Sequence, residues 1–272
     1  MQSLSRAPPG ELRLATTLCG GLPRPPIVAR YDNAGCKIML ILGIETSTMQ
    51  GGVALLTEQG LLSAYTLNVR ATHTERLLPL IDRALRDAGI TLSQVEGLAV
   101  AVGPGSFTGL RIGLSTAKGL AVASGKPLVG VPTLEAMAWT LPFCAHPVCP
   151  VLDARKGEMY CAIFRHEGDR LIRLMEDAAL PLDGLVSRIQ ERTVFLGDGL
   201  AVYGGLLKAR LKDLALFPPS GHRGGSAAAV AELGCRRLLQ GQRDEISELA
   251  PRYLRPSEAE LKRLSTFIQS GS

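Results

Sequence analysis

No stretch of this 272-residue sequence approaches the ~18 to 20 uncharged apolar residues that a membrane-spanning helix needs, because charge, Gly or Pro interrupts each apolar run. That points to a soluble protein. Histidine is scarce: His73, His146, His166 and His222 are the only four, and no two stand four apart, so no helix carries an HExxH-type metal pair. The six cysteines, at 19, 36, 144, 149, 161 and 235, lack the short regular spacing of a secreted disulfide scaffold, and a reducing cytosol is the simpler setting. Cys144-x-His146-x2-Cys149 has the outline of a ligand cluster, but ordinary linker and core thiols account for it, and no metal site is assigned. There is no Gly-x-Ser-x-Gly nucleophile elbow and no Walker loop, since Gly125-Lys126 is followed by Pro127. No residue is therefore assigned a catalytic role.

A surplus of one charge is also small. Residues 1–37 hold Arg6, Arg13, Arg24, Arg30 and Lys37 against Glu11 and Asp32, which is +3 of the formal +5 and leaves about +2 for the body. A body so near neutrality offers no stripe for gripping phosphates, so charge alone does not suggest tight binding of nucleic acid.

What the sequence does have is 46% hydrophobic residues with 30 Gly and 17 Pro spread along it, the composition of a turn-rich globular protein of one large or two small domains. Residues 1–37, with five prolines and no apolar period, read as an extension outside the fold. Met39 is a natural alternative initiator, and the Arg-bearing, acid-poor leader also fits a targeting segment or a lineage-specific tail.

From Ile38 the patterning becomes regular. Strands are expected at Ile38–Glu45, Gly52–Thr57 and Leu61–Val69, then a helix over Thr72–Ala88 and a strand at Gly97–Val102. A loop at Gly103–Thr108, a helix over Gly109–Ala123, a strand at Leu128–Val131 and a helix from Pro132 through Trp139 follow. That βββαβαβα order is the order of a ribonuclease-H-like lobe, spanning 38–141. After a Pro-rich linker the pattern partly restarts over 148–250. Strands are expected at Val148–Asp153, Met159–Arg165, Arg170–Met175 and Thr193–Leu196, and helices near Leu182–Gln190, Ala201–Leu211 and Ser226–Gln240. This reads as a degenerate second lobe. The tail, 251–272, is expected to be peripheral, with a short helix at Glu258–Ile268.

Two helices stand out. On the first, Leu77, Leu78, Leu80, Ile81, Ala84, Leu85 and Ala88 cover an apolar arc wider than the ~100° that packing on one sheet requires, which leaves apolar surface for a second partner. On the second, small residues at 109, 113, 117 and 121 line one face and permit close approach, and only Arg111 and Lys118 make a polar edge.

Three clusters have chemical potential, each with a plainer explanation beside it. The Gly103–Arg111 segment leaves a strand and opens a helix, so Gly103, Gly105, Ser106 and Thr108 fit contact with an anion or nucleotide, or a tight turn capped by Ser106 or Thr108. Its Gly-x-Gly-x3-Gly spacing is one residue longer than the dinucleotide fingerprint. Glu45, Thr46 and Ser47 at the end of the first strand face a phosphate or magnesium, or simply close a turn. Asp153, Arg155 and Glu158 belong to an exposed hairpin or to a cleft between lobes.

Taken together, Ile44-Glu-Thr-Ser-Thr48, His73-Thr-Glu-Arg-Leu-Leu-Pro-Leu80, Gly103-Pro-Gly-Ser-Phe-Thr-Gly-Leu-Arg-Ile-Gly113 and Asp153-Ala-Arg-Lys-Gly-Glu-Met-Tyr160 resemble the bacterial TsaB (YeaZ) family of threonylcarbamoyladenosine biosynthesis proteins. The resemblance runs from about Ile38 to Tyr253-Leu-Arg-Pro256. It implies two ribonuclease-H-like lobes of the actin, Hsp70 and sugar-kinase superfamily. It also implies a non-catalytic, cytoplasmic role beside a TsaD-like sibling, which attaches threonylcarbamoyl to N6 of the adenosine 3′ of the anticodon in ANN-decoding tRNAs. In the sibling a His-x3-His metal pair falls where this chain has Thr133 and Met137, and neither side chain replaces a histidine pair. By the same resemblance the two helices carry the contact with the sibling, through His73, Leu77, Leu78, Leu80, Ile81, Leu110, Arg111 and Leu114. A TsaE-like ATPase and a TsaC-type synthase complete the implied pathway, and tRNA is reached through the complex. No cofactor is required by this chain, and two alternatives stay open: whether ATP or ADP sits at the complex interface, and whether the isolated protein is a homodimer or a monomer. The rival readings are an autonomous nucleotide-dependent enzyme using Glu45, Thr46, Ser47, Asp153 and Gly197-Asp-Gly199, and a module that binds tRNA directly.

Overall fold

The computed structural model describes residues 39–68 and 73–255, with the backbone alone for His73 and Thr74. The expected extension at 1–37, the ends of strand and helix at Val69 and Thr72, and the helix at Glu258–Ile268 lie outside these residues.

The first sheet contains β1 (Ile41–Glu45), β2 (Gln50–Thr57), β3 (Gly60–Asn68), β4 (Gly97–Gly103) and β5 (Leu128–Pro132), in the order β3-β2-β1-β4-β5. β1 runs antiparallel to β2 and parallel to β4, and β4 is parallel to β5. The central strands are apolar without interruption because helices cover both faces. On one face α1 (His73–Asp87) and α2 (Phe107–Ser124) bring Leu77, Ile81, Ala84, Leu114, Ala117 and Ala121 against Leu42, Ile44, Val53, Leu98 and Val100. On the other, α6 (Ala227–Leu239) packs against Ile41, Ala99 and Ala101.

That second face is built from small residues. A Cβ added at Gly43 would lie 2.4 Å from the Ala227 carbonyl oxygen, and one added at Gly234 would lie 2.3 Å from the Ala99 Cβ. The backbone of α6 therefore rests directly on the sheet. This corrects the placement of 148–250 as one lobe: α6 falls within that range yet packs on the first sheet. Its period marks it as an amphipathic helix but does not say which sheet it meets; the match of Ala227, Ala231 and Gly234 to the Gly43 and Ala99 side does.

The second sheet holds β6 (Val148–Arg155), β7 (Glu158–Glu167), β8 (Arg170–Pro181), β9 (Thr193–Leu196) and β10 (Ala215–Leu216), ordered β10-β9-β6-β7-β8. Read from β8, it repeats the first: two antiparallel pairs, then two parallel ones. The repeat is degenerate, since β10 has two residues where β5 has five, and α4 (Leu182–Val186) is one short turn where α1 has 15 residues. α4 and α5 (Leu200–Leu211) cover its outer face. Between the sheets lies α3 (Thr133–Trp139), whose Leu134, Met137 and Ala138 pack with Val148, Leu152, Ala162, Phe164 and Leu196. Glu135 pairs with both Arg173 and Arg237 at 3.5 Å, tying α3 to β8 and α6.

Several boundaries differ from expectation. α2 begins at Phe107 and not Gly109, so Thr108 is helical; β8 extends to Pro181; α4 stops at Val186. The start of the tail is anchored as well. Gly130 N donates to Asp244 Oδ2 at 2.7 Å, Arg252 N donates to the Val102 carbonyl at 2.7 Å, and Arg255 pairs with Glu158 of β7 at 2.8 Å. Residues 251–255 thus run as a strap from the first sheet to the second.

Close packing of α6 makes a pair of substitutions diagnostic. Gly234→Val is expected to destabilise by about 1–3 kcal/mol through overpacking. Gly205→Ala, on an α5 position where an added Cβ has nothing within 4 Å among the described residues, is expected to stabilise by about 0.5–1 kcal/mol from helix propensity. Thermal denaturation of both variants checks this; equal effects would mean that α6 does not rest on the sheet as described.

Candidate functional site

β1 ends in a turn whose side chains are all inside the protein: Glu45, Thr46, Ser47 and Thr48 are buried. Three glycines press α2 and its preceding loop onto this turn. A Cβ at Gly105 would come 2.3 Å from the Ser47 carbonyl oxygen, one at Gly109 2.0 Å from that of Thr46, and one at Gly113 2.1 Å from Thr46 Oγ1. Polar links fix the same contact. Ser106 N donates to Ser47 O at 2.6 Å, and Thr46 Oγ1 donates to Gly109 O at 2.8 Å. Ser106 is the amino-terminal cap, its Oγ accepting from Gly109 N. Gly103 has φ 114 and donates its N–H to Thr133 Oγ1 at 3.2 Å.

Glu45 is only 1% exposed. Its Oε1 accepts from both the amide and the hydroxyl of Ser47 at 2.5 Å, while Oε2 has no partner among the described residues. Burial pushes its carboxyl from the ordinary 4.5 up to about 7, against the two Ser47 hydrogen bonds, and the charge of Asp198 adds to the rise. Asp198 lies in the Gly197-Asp-Gly199 turn after β9. Its own pKa is raised, first by burial and then by Asp153, with the Asp153 and Gly199 amides and Arg155 opposing. Gly225, ahead of α6, backs the other side: a Cβ there would sit 3.4 Å from Glu45 Cδ and 3.5 Å from Thr48 Oγ1. The structure therefore gathers Glu45, Thr48, Asp153, Asp198 and Gly225 where the two lobes face each other. Sequence reasoning missed Gly225; the Gly224-Gly225 pair before the Ser226 cap was the available signal.

Arg155 has φ 64, donates its N–H to Asp153 Oδ1 at 2.9 Å, and keeps an exposed side chain 3.4 Å from the same carboxylate. Such an exposed pair contributes little to stability. Glu158 is turned to Arg255. Burial raises the thiols of Cys149 and Cys161, the latter to about 12, which makes them unreactive. Among the described residues no group of three His, Cys, Asp or Glu is placed to hold a metal.

The expected partner surface divides in two. Leu77, Ile81, Leu110 and Leu114 are buried in this chain's own core and present nothing to a partner, and Leu80 is half-buried. The wide apolar arc is largely consumed by the sheet. Leu78 of α1, 56% exposed, remains outside; on α2, Val122 is 71% exposed and a Cβ added at Gly119 would meet no atom within 4 Å among the described residues. Arg111 is exposed; its guanidinium lies 3.8 Å over the Phe107 ring and donates to Tyr253 OH at 2.9 Å, while Phe107 and Tyr253 stack at 4.8 Å. The His73 side chain lies outside the described residues. No helix among them is long and apolar enough to cross a membrane.

Two five-stranded sheets of repeated topology, with strand ends converging between them, define a protein of two ribonuclease-H-like α/β lobes. The family model described as TsaD, tRNA N6-adenosine threonylcarbamoyltransferase, matches residues 66–263. The TsaB protein of Escherichia coli is 31% identical over 231 residues, covering 81% of this chain and 96% of that one; TsaB of Bacillus subtilis is 28% identical over 227 residues, covering 82% and 97%. The solved structure of YeaZ from Pseudomonas aeruginosa superimposes with a TM-score of 0.66 at 26% identity, over 79% of this chain and 100% of that one. The chain belongs to the TsaB (YeaZ) family of tRNA threonylcarbamoyladenosine biosynthesis proteins.

Glu45 generates a pH prediction. Its folded pKa, about 7, exceeds the unfolded value, so the native state holds a proton that the unfolded chain releases above pH ~4.5. Stability is greatest below that value and is lost as pH rises through 7. Glu45→Gln removes the dependence while keeping an acceptor for Ser47. Relative to wild type it should gain on the order of 3 kcal/mol between pH 5 and pH 8. Urea midpoints at the two pH values measure this, and a difference that does not change with pH would show that Glu45 titrates normally.

Proposed function

We propose that this chain is a non-catalytic subunit that binds and activates a TsaD-like catalytic subunit. The pair would form N6-threonylcarbamoyladenosine 3′ of the anticodon in ANN-decoding tRNAs, in the cytoplasm. The observation that carries this reading is the state of Thr133 and Met137, which stand where the sibling's histidine pair is expected. Both are fully buried. The Thr133 hydroxyl accepts the Gly103 N–H, and Met137 lies in the core between the sheets. Neither donor points to a space where a metal and a substrate would meet.

The partner surface in this reading is the outer side of α1 and α2. Leu78 and Val122 are large exposed apolar side chains, and Gly119 is a mid-helix glycine with no neighbour among the described residues that excludes a side chain. Glycine there costs about 1 kcal/mol relative to alanine without helping to pack this chain, as expected of a position where a partner helix approaches closely. The same face serves a homodimer when the chain is alone. ATP or ADP is assigned to the complex interface, a TsaE-like ATPase and a TsaC-type synthase act in the pathway, and tRNA is bound through the complex, in keeping with the near-neutral body. The unpartnered Glu45 oxygen opposite Asp198 favours one second reading, an autonomous nucleotide-dependent enzyme. ATP turnover above a Glu45→Ala control would support it.

The test of the first reading is to mix the full chain with the TsaD-like protein of the same genome and follow association by light scattering. Wild type is expected to form a heterodimer. Leu78→Glu with Val122→Glu should weaken it by at least about 100-fold, since two carboxylates would be buried without partners, and circular dichroism should remain unchanged because both sites are exposed. Binding by the double variant equal to wild type would remove this face as the interface.

A further inference from the structure

A concave site whose lining contains neither Glu45 nor Asp198 begins beside the face that holds them, at Ser226, and runs along α6. A pocket of about 460 Å³ opens where the α3–β6 linker, the β7–β8 turn and α6 meet, within the ~300–1,000 Å³ range of small-molecule sites. Three rings line it, Trp139, Phe143 and His166, with Asp169, Glu232 and Arg236 among the polar groups. Phe, Trp and Tyr make up only 4% of the chain, and two of them, Trp139 and Phe143, meet here beside a histidine. Trp139 and His166 lie 5.9 Å apart at 47°, and the His166 ring is held by a 3.3 Å hydrogen bond between Nε2 and the Ala138 carbonyl.

Phe143 is the unexpected member. Its side chain is 78% exposed and its backbone is left-handed, at φ 58. A bulky residue seldom adopts that conformation, and such outliers cluster at ligand clamps. Burial does not explain this ring, because it fills no core; it stands over an open pocket.

The charges select the ligand. The Arg236 guanidinium lies 4.5 Å over Trp139 and is flanked by Glu232 at 3.7 Å and Asp169 at 4.0 Å. One face of the tryptophan is thus covered by the chain's own cation, and among the described lining residues the only arginine is already engaged by two carboxylates, leaving little to attract a phosphate. What fits is an uncharged flat ring that stacks and donates N–H groups from its edge. We propose that this pocket binds a purine-sized heteroaromatic ring, stacked on Phe143, with its edge hydrogen-bonded to the Asp169 and Glu232 carboxylates. The ring comes from a free nucleoside or from an unstacked base of RNA, which present the same face and edge.

Trp139 is the single tryptophan of the chain, so intrinsic fluorescence reads this pocket directly. Adenosine and guanosine are titrated into the full chain, beside a single-stranded purine-containing oligoribonucleotide and the same strand in a duplex. A saturable change in Trp139 emission is expected with at least one purine nucleoside, and Phe143→Ala should raise its apparent Kd about tenfold without altering circular dichroism. Tighter binding of the single strand than of the nucleoside, lost in the duplex, assigns the ring to an unstacked RNA base; binding of the nucleoside alone assigns it to a free nucleoside. No saturable change with any of these probes up to millimolar nucleoside, or a Phe143→Ala titration that matches wild type, overturns the proposal. No second protein is present, so this failure is distinct from failure of the heterodimer.

Discussion

Backbone approaching backbone at the end of β1 is the contact on which the rest of the structure depends. Gly105, Gly109 and Gly113 each lie where a Cβ would sit 2.0 to 2.3 Å from the Thr46–Ser47 segment. A side chain at any of them would lift α2 from the sheet. It would also break the Ser106–Ser47 and Thr46–Gly109 hydrogen bonds and draw Leu110 and Leu114 out of the core they help to fill. On the opposite face Gly43 and Gly234 admit α6 in the same way. The first sheet is therefore held between two helical layers at minimal distance, and since protein interiors pack at crystal-like density there is little slack to absorb an added methyl group.

The electrostatics of the interlobe face follow from that packing. Glu45 sits on a turn that α2 pins in place, so its carboxylate cannot swing out to water, and a single oxygen takes both Ser47 donors. The duplication brings it an opposing acid. β6 pairs with β7 and β9 as β1 pairs with β2 and β4, so Asp153, near the end of β6, and Glu45, at the end of β1, come from topologically equivalent strands. Asp198 follows β9 just as the Gly103–Gly105 loop follows β4. Converging strand ends set Glu45, Asp153 and Asp198 toward one region, and burial raises the pKa of Glu45 and Asp198 because a carboxylate there loses its hydration.

Much of this was legible from the order of the residues. Every expected strand among the described residues is present, because apolar runs bounded by Gly and Pro carry a strong local signal, and the small-residue face of α2 correctly announced a close approach. Periodicity could not rank positions within an apolar arc. Leu77 and Leu78 are neighbours of one residue type, yet one is core and the other lies in water, a difference set by the rotation of α1 on the sheet. Nor could local patterning assign α6 to the first sheet, or show that Asp244 is held to β5 and Arg252 of the strap to β4, since these contacts join residues more than a hundred positions apart. The linker holding Phe143 gave no signal either: its exposure and left-handed backbone exist only once α3 and β6 are placed.

Thr133 links these observations to the absence of a metal pair. A histidine at this position would have to turn its ring toward an ion, and the Gly103 N–H would lose its acceptor inside the protein, where an unpaired amide is costly. With threonine, the hydroxyl holds the loop from which α2 departs, and α2 in turn fixes the Thr46 turn and presents Val122 and Gly119 outward. Met137, one helical turn further on, fills the space between the sheets with an apolar side chain that a ligand histidine could not replace without unpaired polar atoms. The residues at these two positions therefore serve the placement of α2 and the joining of the lobes.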